Sequence, residues 1–135
     1  MSDSIFFDTN IIIYLYSADE PEKRRRSQAL LDARDGIISM QVLNEFSNTL
    51  RKKFKFEYDA IDSAIKELSS NFIVVTQNLR TIFSAFNVGK RYGYSYYDSL
   101  IISTARENDC AILYSEDLQH GQVIEDTLTI INPFV

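Results

Sequence analysis

The stretch "IFFDTNIIIYLY", Ile5 to Tyr16, contains the turn on which the fold depends. A short apolar run of the strand-forming type ends at Asp8, and Thr9, Asn10 and a second apolar run follow at once. Asp8 therefore stands at a strand exit and near a helix start, a place where Asp and Asn commonly cap the helix. A strand that feeds directly into a helix is the opening of an alternating α/β chain.

The rest of the sequence repeats that alternation. Four more short apolar runs read as buried strands: "GIIS" at 36–39, "FIVV" at 72–75, "AILY" at 111–114 and "LTII" at 128–131. Between them lie stripes with helical spacing: Val42, Leu43, Phe46 and Leu50; then Tyr58, Ile61, Ile65 and Leu68; then Leu79, Ile82, Phe83 and Phe86. Pro21 suits a helix start, while Gly89 and Gly93 bracket an expected break before the next helix. These features predict one α/β domain over residues 1–135 with a mainly parallel sheet of about five short strands. In such sheets, sites form at the carboxyl ends of the strands.

Composition narrows the class. The 135 residues, 45% hydrophobic, can bury a substantial core, and neither a linker composition nor an internal repeat interrupts them. The start "MSDSIFFDTN" lacks the basic opening of a secretory signal, and the longest apolar run, Ile11 to Tyr16, is too short to span a bilayer. The expectation is a cytoplasmic protein with no membrane contact. The single cysteine, Cys110, adjoins the run "AIL" and reads as core.

Four acids fall where strands end or adjoining helices begin. Asp8 follows the first strand; Glu45 lies on the helix after the second, at the border of its apolar stripe. Asp98 stands three residues after Ser95 and before "LII", which fits a capping box whose acid reaches back to the helix start. Asp117 closes "SED" after the fourth strand, a stretch that also reads as a turn. Singly, each has a bland explanation as a cap, a turn residue or a solvated helical Glu. Together, a parallel sheet would bring them to one edge, where each pair at 4 Å repels by up to about 4 kcal/mol at an effective dielectric near 20. A divalent cation removes that penalty, and oxygen-only ligands suit magnesium, with manganese able to substitute.

The formal charge of −5 argues against a protein that holds nucleic acid by bulk positive charge. Setting the four acids aside, however, leaves 15 acidic against 14 basic residues. The remainder can carry local basic patches, with candidates in "KRRR" at 23–26, "RKKFK" at 51–55, and Lys90 with Arg91, although such runs are commonly solvated helix faces.

The segments "FFDTNIIIYLY", "SMQVLNEF", "YYDSLIISTA" and "LYSEDLQHG", with the closing "IINPF", resemble the PIN domain in order and spacing, specifically the bacterial VapC-type toxin ribonucleases. The resemblance covers nearly the whole chain. It implies a three-layer α/β/α fold and a magnesium- or manganese-dependent endoribonuclease that cuts RNA and is held inactive by a cognate antitoxin, with a homodimer as the family habit. Asp8, Glu45, Asp98 and Asp117 occupy the positions of the four catalytic, metal-holding acids. Thr9, Asn10 and Ser115 occupy positions that in similar proteins support those acids through hydrogen bonds.

Other chemistries fit less well. A haloacid dehalogenase-type phosphatase needs a second acid two residues after the first, and Asn10 stands there. A receiver domain would want an acidic pair before its first helix, a dinucleotide site needs G-x-G-x-x-G, and nucleophilic hydrolysis would need a partner for His120. A PIN-like module that binds RNA or protein without cutting is the non-enzymatic alternative, and it has no use for four clustered carboxylates. Within "LYSEDLQHG", Asp117 completes the acid set; Glu116 is expected to face solvent or a basic neighbour, and His120 to shape a loop beside the site.

Overall fold

The computed structural model describes residues 4–33 and 35–135, so the first three residues of the N-terminal start lie outside it. The elements run β1 (Ile5–Phe7), α1 (Thr9–Tyr14), α2 (Pro21–Ala33), β2 (Gly36–Ser39), α3 (Met40–Lys52), α4 (Tyr58–Asn71), β3 (Phe72–Val75), α5 (Leu79–Tyr92), α6 (Tyr96–Glu107), β4 (Ile112–Tyr114), β5 (Val123–Ile124) and β6 (Leu128–Ile131). One sheet has the order β3-β2-β1-β4-β6-β5, parallel throughout except for β5, which pairs antiparallel with β6.

The chain moves outward from β1 to β2 and β3, then returns past β1 to β4. Right-handed crossovers consequently carry α1–α4 over one face and α5–α6 over the other. The helix contacts agree: α1 packs on α2 and α3, α3 on α4, and α5 on α6. The result is the expected three-layer α/β/α arrangement, with the reversal of strand order between β1 and β4. Every residue of β1 is buried, together with Ile38 of β2, Leu113 of β4, Ile130 of β6, Phe46 of α3 and Ile102 of α6. A strand buried on both faces has no polar alternation, which is why "IFF" is continuous.

Three sequence expectations change. The sheet has a sixth strand, β5; its two residues enter a tight turn in which Glu125 and Asp126 both take positive φ, and so short a strand leaves no periodic signal. Gly89 does not end a helix. It lies inside α5, where a Cβ would come 3.3 Å from Ser99 Oγ of α6, so it serves close helix packing. Gly93 alone ends α5, at φ 81° with its N–H donated to Gly89 O.

The third change concerns α5 itself. Its helical period is as expected, but Leu79, Phe83 and Phe86 point outward, 65%, 57% and 46% exposed, while Thr81, Ala85 and Val88 face the core. Small side chains lie beneath because α6 comes so close at Gly89. Cys110 is buried as expected, and burial, with Asp109 beside it, pushes its thiol up to about 12. No helix among the described residues is long and apolar enough to cross a membrane.

Gly36 opens β2 with no room for a side chain: an added Cβ would lie 2.7 Å from a Phe72 ring carbon and 2.8 Å from one of Phe7. Those two rings meet edge to face at 5.4 Å inside the core. Gly36→Ala should therefore cost roughly 1–3 kcal/mol by overpacking, lowering the thermal midpoint by several degrees. An unchanged midpoint would show that the rings yield freely.

Candidate active site

Asp8 continues β1 by one residue, its N–H donating to Tyr114 O of β4 at 3.0 Å, and then caps α1. It is both a helix cap and a site residue. One carboxylate oxygen accepts from the Thr9 N–H at 2.7 Å and the other from Ser115 Oγ at 2.8 Å. The residue is only 6% exposed.

Glu45 comes from α3, which Ser39 begins by accepting the Val42 N–H. It is half-buried, and Thr9 Oγ1 donates to its Oε1 at 2.6 Å. Thr9 thus ties the exit of β1 to α3. Asp98 stands in the first turn of α6, half-buried, its N–H donated to Ser95 Oγ at 3.3 Å. Only that half of the expected capping box is present: the Asp98 carboxylate does not return to the Ser95 N–H.

Asp117 is the exposed member. Its N–H donates to Ser115 Oγ at 3.2 Å and its Oδ2 accepts from Asn10 Nδ2 at 3.0 Å, while Asn10 Oδ1 accepts the Glu116 N–H at 3.1 Å. Ser115 Oγ thereby links Asp8 to Asp117 across the β1/β4 seam. Thr9, Asn10 and Ser115 are each bonded to the acids, Thr9 to Asp8 and Glu45, Asn10 to Asp117, and Ser115 to Asp8 and Asp117.

Neighbouring residues separate from this set. The Glu116 carboxylate turns away to Lys23 at the start of α2 and to the Tyr14 hydroxyl. Burial works to raise its pKa, but those two bonds outweigh it and hold the group below the usual carboxylate range. His120 accepts the Asn132 N–H on Nδ1 at 2.9 Å, closing the loop after β4 onto the end of β6. Four cations of the basic runs are engaged internally: Lys23 with Glu116, Arg26 with Pro133 O, Arg51 with Phe56 O and the Tyr58 ring, and Arg91 with Glu125.

Sequence reasoning passed over Gln41 and Gln77. Gln41 Nε2 donates to Glu45 Oε2 at 3.4 Å and to Tyr97 O at 3.2 Å, and its Oε1 accepts from Gln77 Nε2, which also donates to Thr104 Oγ1. Gln41 precedes Glu45 by one helical turn, and that spacing could have drawn attention to it. Gln77, alone in a connection, carries no such signal.

Burial is the main cause that raises the Asp8 pKa from 3.8 to about 7; the Ser115 and Thr9 bonds oppose it, and repulsion from Glu45 and Asp98 adds to it. These three carboxylates therefore share one electrostatic environment, with Asp117 joined through Ser115. Among the described residues no three His, Cys, Asp or Glu side chains close into a ready cage for an ion. The donor set is nonetheless all oxygen and mutually repulsive, which fits a hard divalent cation held partly through water.

A model of the PIN domain matches residues 5–125 of the chain. No curated protein matches it. Among solved structures, the fold is similar to the Mycobacterium tuberculosis toxin VapC20, which cleaves the sarcin–ricin loop, at TM-score 0.70 and 21% identity over 84% of this chain and 89% of that one. It is similar to a toxin–antitoxin complex from Klebsiella pneumoniae at TM-score 0.74 and 21% identity, covering 96% and 97% of the two chains. It is also similar to VapBC2 from Rickettsia felis bound to a promoter DNA fragment, at TM-score 0.69 and 17% identity, covering 96% and 99%.

The Asp8 shift has a thermodynamic consequence. The native state holds this proton more tightly than the unfolded chain, so the contribution of Asp8 to stability falls as pH rises from about 4 to about 7 and is level above. At about 1.4 kcal/mol for each pH unit of that window, the loss is roughly 4 kcal/mol. Asp8→Asn lacks this titration. Thermal melts in chelator should show the variant more stable than wild type at pH 8, with the gap closing toward pH 4; a constant gap would refute the shifted carboxyl.

Proposed function

Because the chain belongs to the PIN-domain family, we propose that it is a magnesium- or manganese-dependent endoribonuclease, the VapC-type toxin of a bacterial toxin–antitoxin pair acting in the cytoplasm. The observation that carries this reading is the Asp8 carboxyl, buried at the β1/β4 seam, raised to about 7 and repelled by Glu45 and Asp98. Carboxyls so perturbed gather at functional sites. The similarity to VapC20 and to toxin–antitoxin complexes supports RNA as substrate and an antitoxin as partner.

Asp8, Asp98 and Asp117 would be the principal holders of the cation, directly or through water, and Glu45 would complete the cage or orient the attacking water. The chemistry supplied by such an ion is charge neutralisation and polarisation of the phosphodiester. The chain's own contribution is placement. Ser115 fixes Asp8 and the Asp117 backbone, Asn10 holds the Asp117 carboxylate, and Thr9 aims Glu45. Hydrolysis would then proceed by in-line attack of water on phosphorus, the new P–O bond forming as the bond to the leaving ribose oxygen breaks, with the water's proton released to solvent and the leaving oxygen protonated from it. A homodimer belongs to the same reading, and the outward Leu79, Phe83 and Phe86 of α5 support it.

Purified protein should cut RNA with magnesium or manganese and lose that activity in chelator. Asp8→Asn and Asp98→Asn should each lower kcat on the order of 100-fold or more, and each should relieve growth arrest when expressed in bacteria. A folded variant as toxic as wild type, together with wild-type protein that cuts no RNA, would sink the nuclease reading in favour of a silent binding module.

Magnesium should also raise the wild-type thermal midpoint at pH 8, because it binds the native state, and should do far less for Asp8→Asn. Equal shifts in both proteins would place the ion elsewhere.

A further inference from the structure

We propose that the cleft beside Glu45 is a subsite for one unpaired nucleobase of the RNA, next to the bond being cut; the inference rests on the nuclease reading above. A cleft of about 500 Å³ opens where the first turns of α3, the exit of β3 and the start of α6 meet, and Glu45 forms part of its wall. Its occupant would therefore adjoin the acids. No Lys or Arg lines it, so it is not built for a phosphate. It presents instead a flat ring, an apolar edge and amides.

Tyr97 and Met40 stand at the cleft with 64% and 45% of their surface exposed. An exposed aromatic face beside hydrogen-bonding side chains is the means by which proteins hold unstacked RNA bases. Asn44 supplies the edge contact: it lines the cleft, is exposed, and its side chain has no hydrogen-bond partner among the described residues, so its amide offers a donor and an acceptor together.

The platform is preformed. Gln41 holds Glu45 and the Tyr97 carbonyl at once, and Gln77 holds Gln41 and Thr104. The backbone that carries the stacking ring and the acid at the cleft wall are thus braced by one side chain, which lowers the ordering cost of binding. Tyr97 also ends a ladder of rings, Phe83 to Phe86 at 6.1 Å, Phe86 to Tyr96 at 5.8 Å and Tyr96 to Tyr97 at 5.3 Å. The ladder's outer members suit a protein partner, but Tyr97 is the one that turns into the cleft wall with Glu45.

The test is binding of a fluorescently labelled single-stranded oligoribonucleotide, measured by anisotropy with calcium neutralising the acids. Tyr97→Ala should weaken binding about 5- to 100-fold, Tyr97→Phe should stay within about twofold of wild type, and Asn44→Ala should lose a few-fold. Abasic residues in the strand should erase the difference between wild type and Tyr97→Ala. Equal affinities for wild type and a normally folded Tyr97→Ala, or no binding by either, overturn the subsite. So does a Tyr97→Ala protein that keeps its RNA affinity but loses self-association or antitoxin binding, which would assign the ring to a protein contact. Cleavage with magnesium is scored separately: its absence in wild type sinks the nuclease reading, whereas intact cleavage with an unaltered Tyr97→Ala affinity sinks only the subsite.

Discussion

The hydrogen bond from Ser115 Oγ to the buried carboxylate of Asp8 spans the seam between β1 and β4, and the organisation of the site depends on it. The seam is where the strand order reverses, so the helices after β1 and those before β4 leave toward opposite faces and a crevice opens between them. A carboxylate there is poorly solvated, with two other acids in electrostatic reach. One hydroxyl and one backbone N–H offset part of that cost without removing it. The same Ser115 oxygen accepts the Asp117 N–H, so the most buried acid and the most exposed one are positioned by a single atom.

From this constraint the neighbouring arrangements follow. Thr9, next in sequence to Asp8, reaches the Glu45 carboxylate on α3; Asn10 reaches forward to Asp117 and to the backbone of Glu116. Three consecutive residues of the first βα turn therefore contact two other segments of the chain, and a shift of β1 against β4 would misplace all of them. Glu116 anchors the opposite side of the same loop, bound to Lys23 and Tyr14, where Phe134 packs on the Tyr14 ring at 5.2 Å. The two adjacent acids thus divide the work: Glu116 fixes the loop to the body of the protein, and Asp117 is left facing the crevice.

Much of this was legible in the sequence because parallel sheets impose a strong rule. Strand exits gather at one edge, so acids at 8, 45, 98 and 117 could be grouped without knowing the strand order. What stayed hidden has physical causes. Helical periodicity reveals that α5 has an apolar stripe but not which side the core occupies, and Gly89 decided that by letting α6 approach on the small-residue side. β5 is two residues long, below any periodic signal. Gln77 acts through a tertiary contact from a connection whose path no local pattern fixes. The His120 expectation survived for a local reason, since a ring next to Gly121, at φ 85°, lies where the chain must turn and a backbone N–H needs an acceptor.

The distribution of charge bears on how an acidic chain can engage a polyanion. Several of its cations are already committed, to Glu116, Glu125, Pro133 O and Phe56 O, so these are poorly placed to track a phosphate backbone. With bulk attraction weak, the favourable terms that the proposed function leaves at the acid edge would be a divalent cation, which would reverse the local sign of the field, and stacking, which is indifferent to charge. Both depend on pre-placement, and the structure supplies it through neutral side chains: Ser115, Thr9 and Asn10 for the acids, Gln41 and Gln77 for the cleft. A neutral scaffold adds no competing salt bridge to the carboxylates of Asp8, Glu45 and Asp117, so under the proposed function their charge would stay available for an ion while their directions are fixed.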